Sequence, residues 1–598
     1  MSDEKVYWDY YKQAFLHFHI ELENLGVMRQ LYLIERRKFW KSIPLKEYEY
    51  EEATMLLSDY SRQLEIVASN IISQKSFLYW IHVYRRIAPA IPKPGATILD
   101  ILNTRRIMEI AFQKYGKQGF CSHIARSKQI AISQIFNGLL LTEDYSTERR
   151  IIEKAPDMLV LTDFGVNELK EIYELEKICL EIHLVNKMYR ILGKGCKLNY
   201  INANEWYNFT ITNDAVKLMQ IYDNRINLNK VNSSYLGVYY SNISSKKPDS
   251  YCLFPTYNVG NISFDNFKEI FAKLYKMEFT CLVNDCPNFV FYEFDIRSYY
   301  LAHKEASESF YETNKISFEA LLCVIYFFFS VVFSDFKKPE FLLNYLFRGY
   351  SIRSKKDIIR NLENNKTSIK SKIGINNKEI SRKDFEDAIN FLSFSNKNRN
   401  LLDLSYCSLY FPFYEVSNNL LIDYSWMFKT FLTLFFKLKM DDQNFKGTIL
   451  ENSLKTSESI LPTDTIKAQD GTEHQIDYSF MKDDVLFILE CKVVSMSLAY
   501  ERGDKKAVDY RTVDVVERAL TEIDIKADWL IKHKEIILKY VPQAKCIVPI
   551  GVSAFVEYMP SIDKRYWLTD EIPRVLLPKE VEFIKTNPVN ILYNKIKI

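Results

Sequence analysis

The sequence predicts a multi-domain protein. Mostly α-helical N-terminal and middle regions precede a C-terminal α/β domain built on a central mixed β-sheet. Three observations carry this. The chain has 598 residues, more than one hydrophobic core organises. Its composition, 47% hydrophobic and 26% charged, is that of a folded globular chain and excludes wholesale disorder. The pattern of apolar residues also changes, from helical spacing in the first 200 positions to short apolar runs bounded by polar turns beyond 470.

Residues 1–200 read as a helical domain. In the stretch 60–72, for example, Leu64, Val67, Ala68, Ile71 and Ile72 share one helical face. IAPAIPKPG at 87–95 interrupts the pattern as a connection. Within 120–172, two short helices are followed by a strand, a turn and a helix capped near Asp163. This order resembles the end of a winged-helix DNA-binding domain with Lys128 on the recognition helix; one more helical subdomain is the plainer reading. Residues 201–430 form a mixed α/β to helical middle region, with a strand expected at 289–295. The uncharged run 320–333 is too short to span a bilayer and reads as a buried core helix. Between Arg348 and Arg399, thirteen Lys or Arg stand against six Asp or Glu. This stretch is either a track for a phosphate backbone or a solvated linker with two short helices. A strand-like segment at 413–422 and a helix at 425–440 lead into the C-terminal domain, 431–598.

Composition also narrows the function. A net charge of +3 confines any nucleic-acid surface to a local patch. The ten cysteines lack zinc-knuckle spacing and read as reduced thiols, so a cytoplasmic setting is expected. The N-terminus shows no signal-peptide pattern, and no membrane association is expected. No phosphate-binding glycine loop occurs, which argues against an ATPase or a dinucleotide enzyme.

The chemistry concentrates at 472–494, TEHQIDYSFMKDDVLFILECKVV. Two strand-like runs flank the polar group Lys482-Asp483-Asp484. Glu490 and Lys492 are two positions apart in an apolar strand and therefore point to one face. If Asp483 and Asp484 form a two-residue turn, Lys482 pairs with Val485 and Asp477 falls opposite Glu490. Facing side chains on antiparallel strands lie about 5 Å apart at Cβ. Two carboxylates and an ammonium would then meet on one face. Such carboxylates repel each other unless a cation joins them. Glu168-Leu169-Lys170 repeats the Glu-x-Lys pattern but falls in a helix, where positions two apart do not share a face.

Asp477, thirteen positions before Glu490-Cys491-Lys492, resembles the signature of the PD-(D/E)xK nuclease superfamily, over roughly the last 160 residues. Ile476 stands where that family often has proline. The resemblance implies a restriction-endonuclease-like fold for the C-terminal domain. It implies that Asp477, Glu490 and the backbone carbonyl of Cys491 bind Mg²⁺ or Mn²⁺, and that Lys492 assists the attacking water. It further implies a carboxylate on a preceding helix. FKGTILENSL at 445–454 offers Glu451, with Glu458 and Glu473 as rivals. After the Glu-x-Lys strand the family has a helix and another strand, and 513–538 and 544–558 fit that order.

The expected activity is metal-dependent hydrolysis of DNA, with RNA the alternative substrate. By resemblance the setting is a bacterial restriction or anti-phage effector, acting as a homo-oligomer or with a partner protein. Arg502, Lys505, Lys506 and Arg511 are the candidate phosphate contacts. A non-catalytic nucleic-acid-binding or scaffold protein that keeps the nuclease fold is the competing expectation.

Overall fold

Large aromatic and aliphatic residues at helical spacing build the N-terminal part around one core. In the computed structural model the described residues are 31–87, 98–117, 166–231, 251–257, 289–297, 307–335, 350–405, 408–416, 419–423, 459–492 and 497–598, with the single positions 300, 304, 454 and 494. Helices α1 (Leu31–Trp40), α2 (Tyr50–Ile72), α3 (Phe77–Ile87), α4 (Ile98–Tyr115) and α5 (Val166–Leu192) come first. As expected, Leu64, Ala68 and Ile72 of α2 are buried, with Val67 and Ile71 packed against the same core. The winged-helix reading of 120–172 and Lys128 lie outside the described residues up to 165; residues 166–172 open the 27-residue helix α5. The connection at 87–95 likewise lies outside them beyond Ile87.

The N-terminal core continues into the middle of the chain. After β1 (Glu47–Tyr48), β2 (Lys197–Asn199), β3 (Phe209–Thr210) and α6 (Asn213–Val231), strands β4 (Tyr251–Tyr257) and β5 (Phe289–Asp295) pair antiparallel. The expected strand at 289–295 is therefore present. Helix α7 (Ser307–Asn314) precedes α8 (Phe318–Asp335), whose residues 320–328 are buried, as a core helix requires. No helix among the described residues is long and apolar enough to cross a membrane.

The basic stretch folds as β6 (Tyr350–Ser354), α9 (Lys355–Ile373) and α10 (Arg382–Phe391). Ser354 caps α9 through the Asp357 N–H, and Gly374 closes it in the left-handed conformation at φ 85°. Several of the basic side chains serve the fold. Lys366 donates to the Ile380 carbonyl and Lys355 pairs with Glu415. Arg382 bridges Glu363 and Glu386, and Arg399 donates to the Gly116 carbonyl. The two helices are present, but they are not a solvated linker: Ile358, Leu362, Ile369 and Ile373 of α9 and Phe385 and Ile389 of α10 are buried in the first core. The strand expected at 413–422 is instead two strands, β7 (Phe413–Val416) and β8 (Asn419–Asp423), paired antiparallel in a sheet ordered β6-β8-β7. Val416 pairs with Asn419 at the reversal between them. The helix expected at 425–440 lies outside the described residues.

A second core surrounds a mixed five-stranded sheet. After β9 (Ile466–Lys467) and β10 (Glu473–His474), the sheet contains β11 (Tyr478–Lys482), β12 (Val485–Lys492), β13 (Cys546–Ser553), β14 (Val575–Leu576) and β15 (Ile596–Lys597). β11 runs antiparallel to β12, and β12 parallel to β13. β13 pairs parallel with β14 and antiparallel with β15. Helices α11 (Leu498–Arg502) and α12 (Lys505–Arg511) follow β12. A π-helical stretch, Thr512–Glu517, runs on from α12 without a break into α13 (Arg518–Lys532), and α14 (Lys534–Tyr540) follows.

The two faces of this sheet carry different partners. Val485, Phe487 and Leu489 face Val581 and Ile584 of α15 (Pro578–Thr586) and Leu218, Tyr222 and Ile226 of α6. Leu486 and Ile488 face Ile523, Ala527 and Leu530 of α13 and Ile536 and Ile537 of α14. Thus α6, from the middle region of the sequence, packs in the C-terminal core. The two cores touch where Gly193 meets Gly503. A Cβ on Gly193 would lie 1.7 Å from the Gly503 carbonyl oxygen, and one on Gly503 2.3 Å from Arg190 Cα.

Candidate active site

The site begins with the β11–β12 hairpin. Its register is Lys482 opposite Val485 and Tyr478 opposite Leu489, as the two-residue turn at Asp483-Asp484 requires. Asp483 takes the left-handed conformation at φ 53°, which closes the turn. The Asp484 carbonyl accepts the Lys545 N–H at 2.8 Å, so the same turn positions the start of β13.

The ladder ends one residue sooner than expected. Asp477 stands in a bend just before β11, not in the strand. Its position is held another way, because its Oδ2 accepts the Cys491 N–H at 2.7 Å. Asp477 thereby spans from the start of β11 to the residue between Glu490 and Lys492.

Glu490 and Lys492 are on the face of β12 covered by α13. Glu490 is 4% exposed. Burial, and then the negative charge of Asp477, push its carboxyl above the usual range, while two lysines pull it back. Lys492 Nζ donates to Glu490 Oε1 at 2.8 Å and to Glu522 Oε2 at 2.6 Å. Lys526 Nζ pairs with the other oxygen, Glu490 Oε2. Arg518 Nε donates to Glu522 Oε1 at 2.8 Å. Burial opposes the charge of Lys492, and the Glu490 and Glu522 carboxylates outweigh it, so its pKa is raised. Burial would also raise Glu522. Hydrogen bonds from Lys492 and Arg518 override this and bring it down to about 2.

Helix α13 therefore adds three charged groups beyond those that the Glu-x-Lys pattern points to. Arg518, Glu522 and Lys526 recur every four residues, the spacing that stacks side chains on one helical face. That signal is present in the sequence, on the helix that follows the Glu-x-Lys strand.

The other expected residues divide. Glu451 and Glu458 lie outside the described residues. Leu454 of the same segment is buried in the core that holds Tyr478 and Phe480. Glu473 is exposed on β10 and pairs with Lys467 at 3.3 Å. Lys506 is exposed, and exposed Lys505 pairs with Asp509 at 2.8 Å. Arg502 pairs with Asp403 and donates to Ser405 Oγ at 2.8 Å. Arg511 is not placed to meet a phosphate, because it is only 3% exposed and lies in a buried ion pair with Glu557. Its Nη1 also donates to the Val494 carbonyl at 3.0 Å. Burial works against its charge and Glu557 outweighs it, so its pKa is raised. The expectation of a phosphate-binding loop at these four positions is thus corrected for Arg511, which is buried. Arg502 and Arg511 both tie the segment after β12 to the rest of the protein.

The donor set suits a hard divalent cation. Among the described residues no three His, Cys, Asp or Glu side chains cluster as ready ligands. Mg²⁺ needs only one or two carboxylates, with waters and a substrate phosphate completing its shell. Asp477 and Glu490 supply two carboxylates; the Glu490 carboxyl is pushed up first by burial and then by the Asp477 charge, a load that Lys492 and Lys526 offset here and that a cation can also relieve.

No protein-family model matches the chain, and no curated protein or solved structure matches it either.

Proposed function

We propose that the chain is a metal-dependent nuclease of the PD-(D/E)xK type that hydrolyses DNA phosphodiester bonds. The observation that best supports this reading is the bond from the Cys491 N–H to Asp477. Together with the hairpin register it gathers Asp477, Glu490 and Lys492 at one end of β12. Asp477 and Glu490 would hold Mg²⁺ or Mn²⁺, with the Cys491 carbonyl beside them. Such an ion polarises the phosphoryl oxygen and lowers the pKa of a bound water. Lys492 holds and orients the attacking water and offsets charge building on the phosphate. Glu522 keeps the Lys492 ammonium directed into the site. Among the described residues, exposed Arg518, Lys505 and Lys506 are candidates to meet the substrate backbone. A restriction or anti-phage role is proposed on the resemblance alone.

The test is incubation of the full chain with supercoiled plasmid, linear duplex, single-stranded DNA and RNA, each with Mg²⁺, Mn²⁺ or EDTA. Cleavage that requires the divalent ion is expected, with DNA preferred. Nucleic-acid binding without cleavage under every condition would instead favour a scaffold that keeps the fold without turnover.

A further inference from the structure

Both oxygens of Glu490 carry an ammonium. Lys492 takes Oε1 and Lys526 takes Oε2. A buried carboxylate beside a second carboxylate needs this compensation to be stable without a metal. A divalent ion cannot join the same arrangement unchanged. It would sit about 2.1 Å from a carboxylate oxygen, where an ammonium already bonded to that oxygen repels it. One lysine has to leave.

The two lysines differ in what else holds them. Lys492 has a second carboxylate, Glu522, which Arg518 anchors from its other side. Lys526 pairs with Glu490 alone among the described residues. Its side chain is 13% exposed, close enough to the surface for the flexible stem to swing out into solvent.

We propose that Lys526 is a resident counter-cation of Glu490 that a divalent ion displaces, while Glu522 retains Lys492 in the site. The proposal rests on the reading of Glu490 as a metal ligand. Helix α13 then performs two tasks through residues four apart. Lys526 neutralises the empty site, and Glu522 is a positioning residue that holds the lysine needed when the site is filled. The cost of the first task is weaker metal binding, because every ion that binds must break the Lys526–Glu490 pair.

The experiment is titration of the full chain with Mn²⁺ alone, reading free Mn²⁺ by electron paramagnetic resonance. The proteins are wild type, Lys526→Met, Lys526→Gln, Lys526→Arg, Arg518→Met and Glu490→Gln. Thermal unfolding in EDTA identifies which variants are folded, and Lys526→Gln serves if Lys526→Met is not. Removing Lys526 should tighten Mn²⁺ binding about tenfold. Lys526→Arg, which keeps the pair, should bind no more tightly than wild type. Arg518→Met removes a nearby charge that does not touch Glu490, and its change should be under about threefold. Unchanged or weaker binding without Lys526 would overturn the proposal. Equal tightening by Arg518→Met would overturn it too, by reducing the effect to the general field of a positive charge. Glu490→Gln separates this proposal from the reading beneath it. If that variant binds Mn²⁺ as wild type does, Glu490 is no ligand and the site assignment itself fails.

Discussion

Glu522 sits among opposing influences: burial raises its pKa, while Lys492 and Arg518 lower it to about 2. The folded value is below the unfolded one of about 4.3, so the group stabilises the fold above that pH. The contribution is lost as pH falls through the folded value. Glu522→Gln should therefore melt below wild type at pH 7, and the gap should narrow as pH is lowered toward 3. The side chain is about one-third exposed, so solvent screening limits the gap to about 0.5–1 kcal/mol. Thermal melts of both proteins across that range check this, and a gap independent of pH would contradict it. Some of the geometry is legible in the sequence, because a two-residue period and a two-residue turn decide where Glu490 and Lys492 go, whereas Asp477 is held by the Cys491 N–H. Lys526 and Glu522 do not stand out there, although their spacing is visible, because nothing local says which face of α13 meets β12. Arg511 misleads for a related reason. A charge in a sequence reads as solvent-exposed, and its buried partner Glu557 is 46 residues away.

The hairpin is the element on which the site geometry depends. Its turn carries a left-handed Asp483, a conformation that asparagine adopts at least as readily as aspartate. Asp483→Asn should leave both stability and cleavage near wild type. Deleting Asp484 acts differently. It forces either a one-residue slip, which turns one strand's side chains to the other face, or a strained turn. It also removes the carbonyl that receives the Lys545 N–H, and so loosens the start of β13. Cleavage rate and melting temperature should fall together in the deletion variant. A deletion that leaves cleavage intact would mean the hairpin does not set the Asp477–Glu490 relation. The register is readable because polar residues bracket the turn and the strands are strongly apolar. The exit of Asp477 from the ladder is not readable, since it depends on where Ile476 packs. Ile476 is buried among Leu486, Ile488 and Ile523, on the face of the sheet that a continued strand would have turned it away from.

At the scale of the whole molecule, the segment after β12 joins the C-terminal sheet to the helical body. Gly503, at φ 82°, lies against the backbone of Tyr189 and Arg190, and Gly193 lies against Gly503. The Tyr50 hydroxyl at the start of α2 also accepts the Lys505 N–H at 2.9 Å. Gly193→Ala needs space that the backbone does not leave. It should cost about 1–3 kcal/mol of stability in chemical denaturation. A loss near zero would mean the two bodies do not rest on this contact. The broad order, helical regions followed by an α/β unit with a mixed sheet, is legible from apolar spacing. The membership of α6 in the C-terminal core is not, because packing between elements more than 200 residues apart leaves no local pattern. The central claim is that this assembly presents a metal-dependent hydrolytic site at the end of β12. The most direct measurement compares nucleic-acid cleavage by wild type and by folded Glu490→Gln, in saturating Mg²⁺ or Mn²⁺ and in EDTA. The account predicts cleavage by wild type with metal only, and a loss of at least about a hundredfold in Glu490→Gln. Equal cleavage by the two proteins, or cleavage by wild type that persists in EDTA, would contradict it.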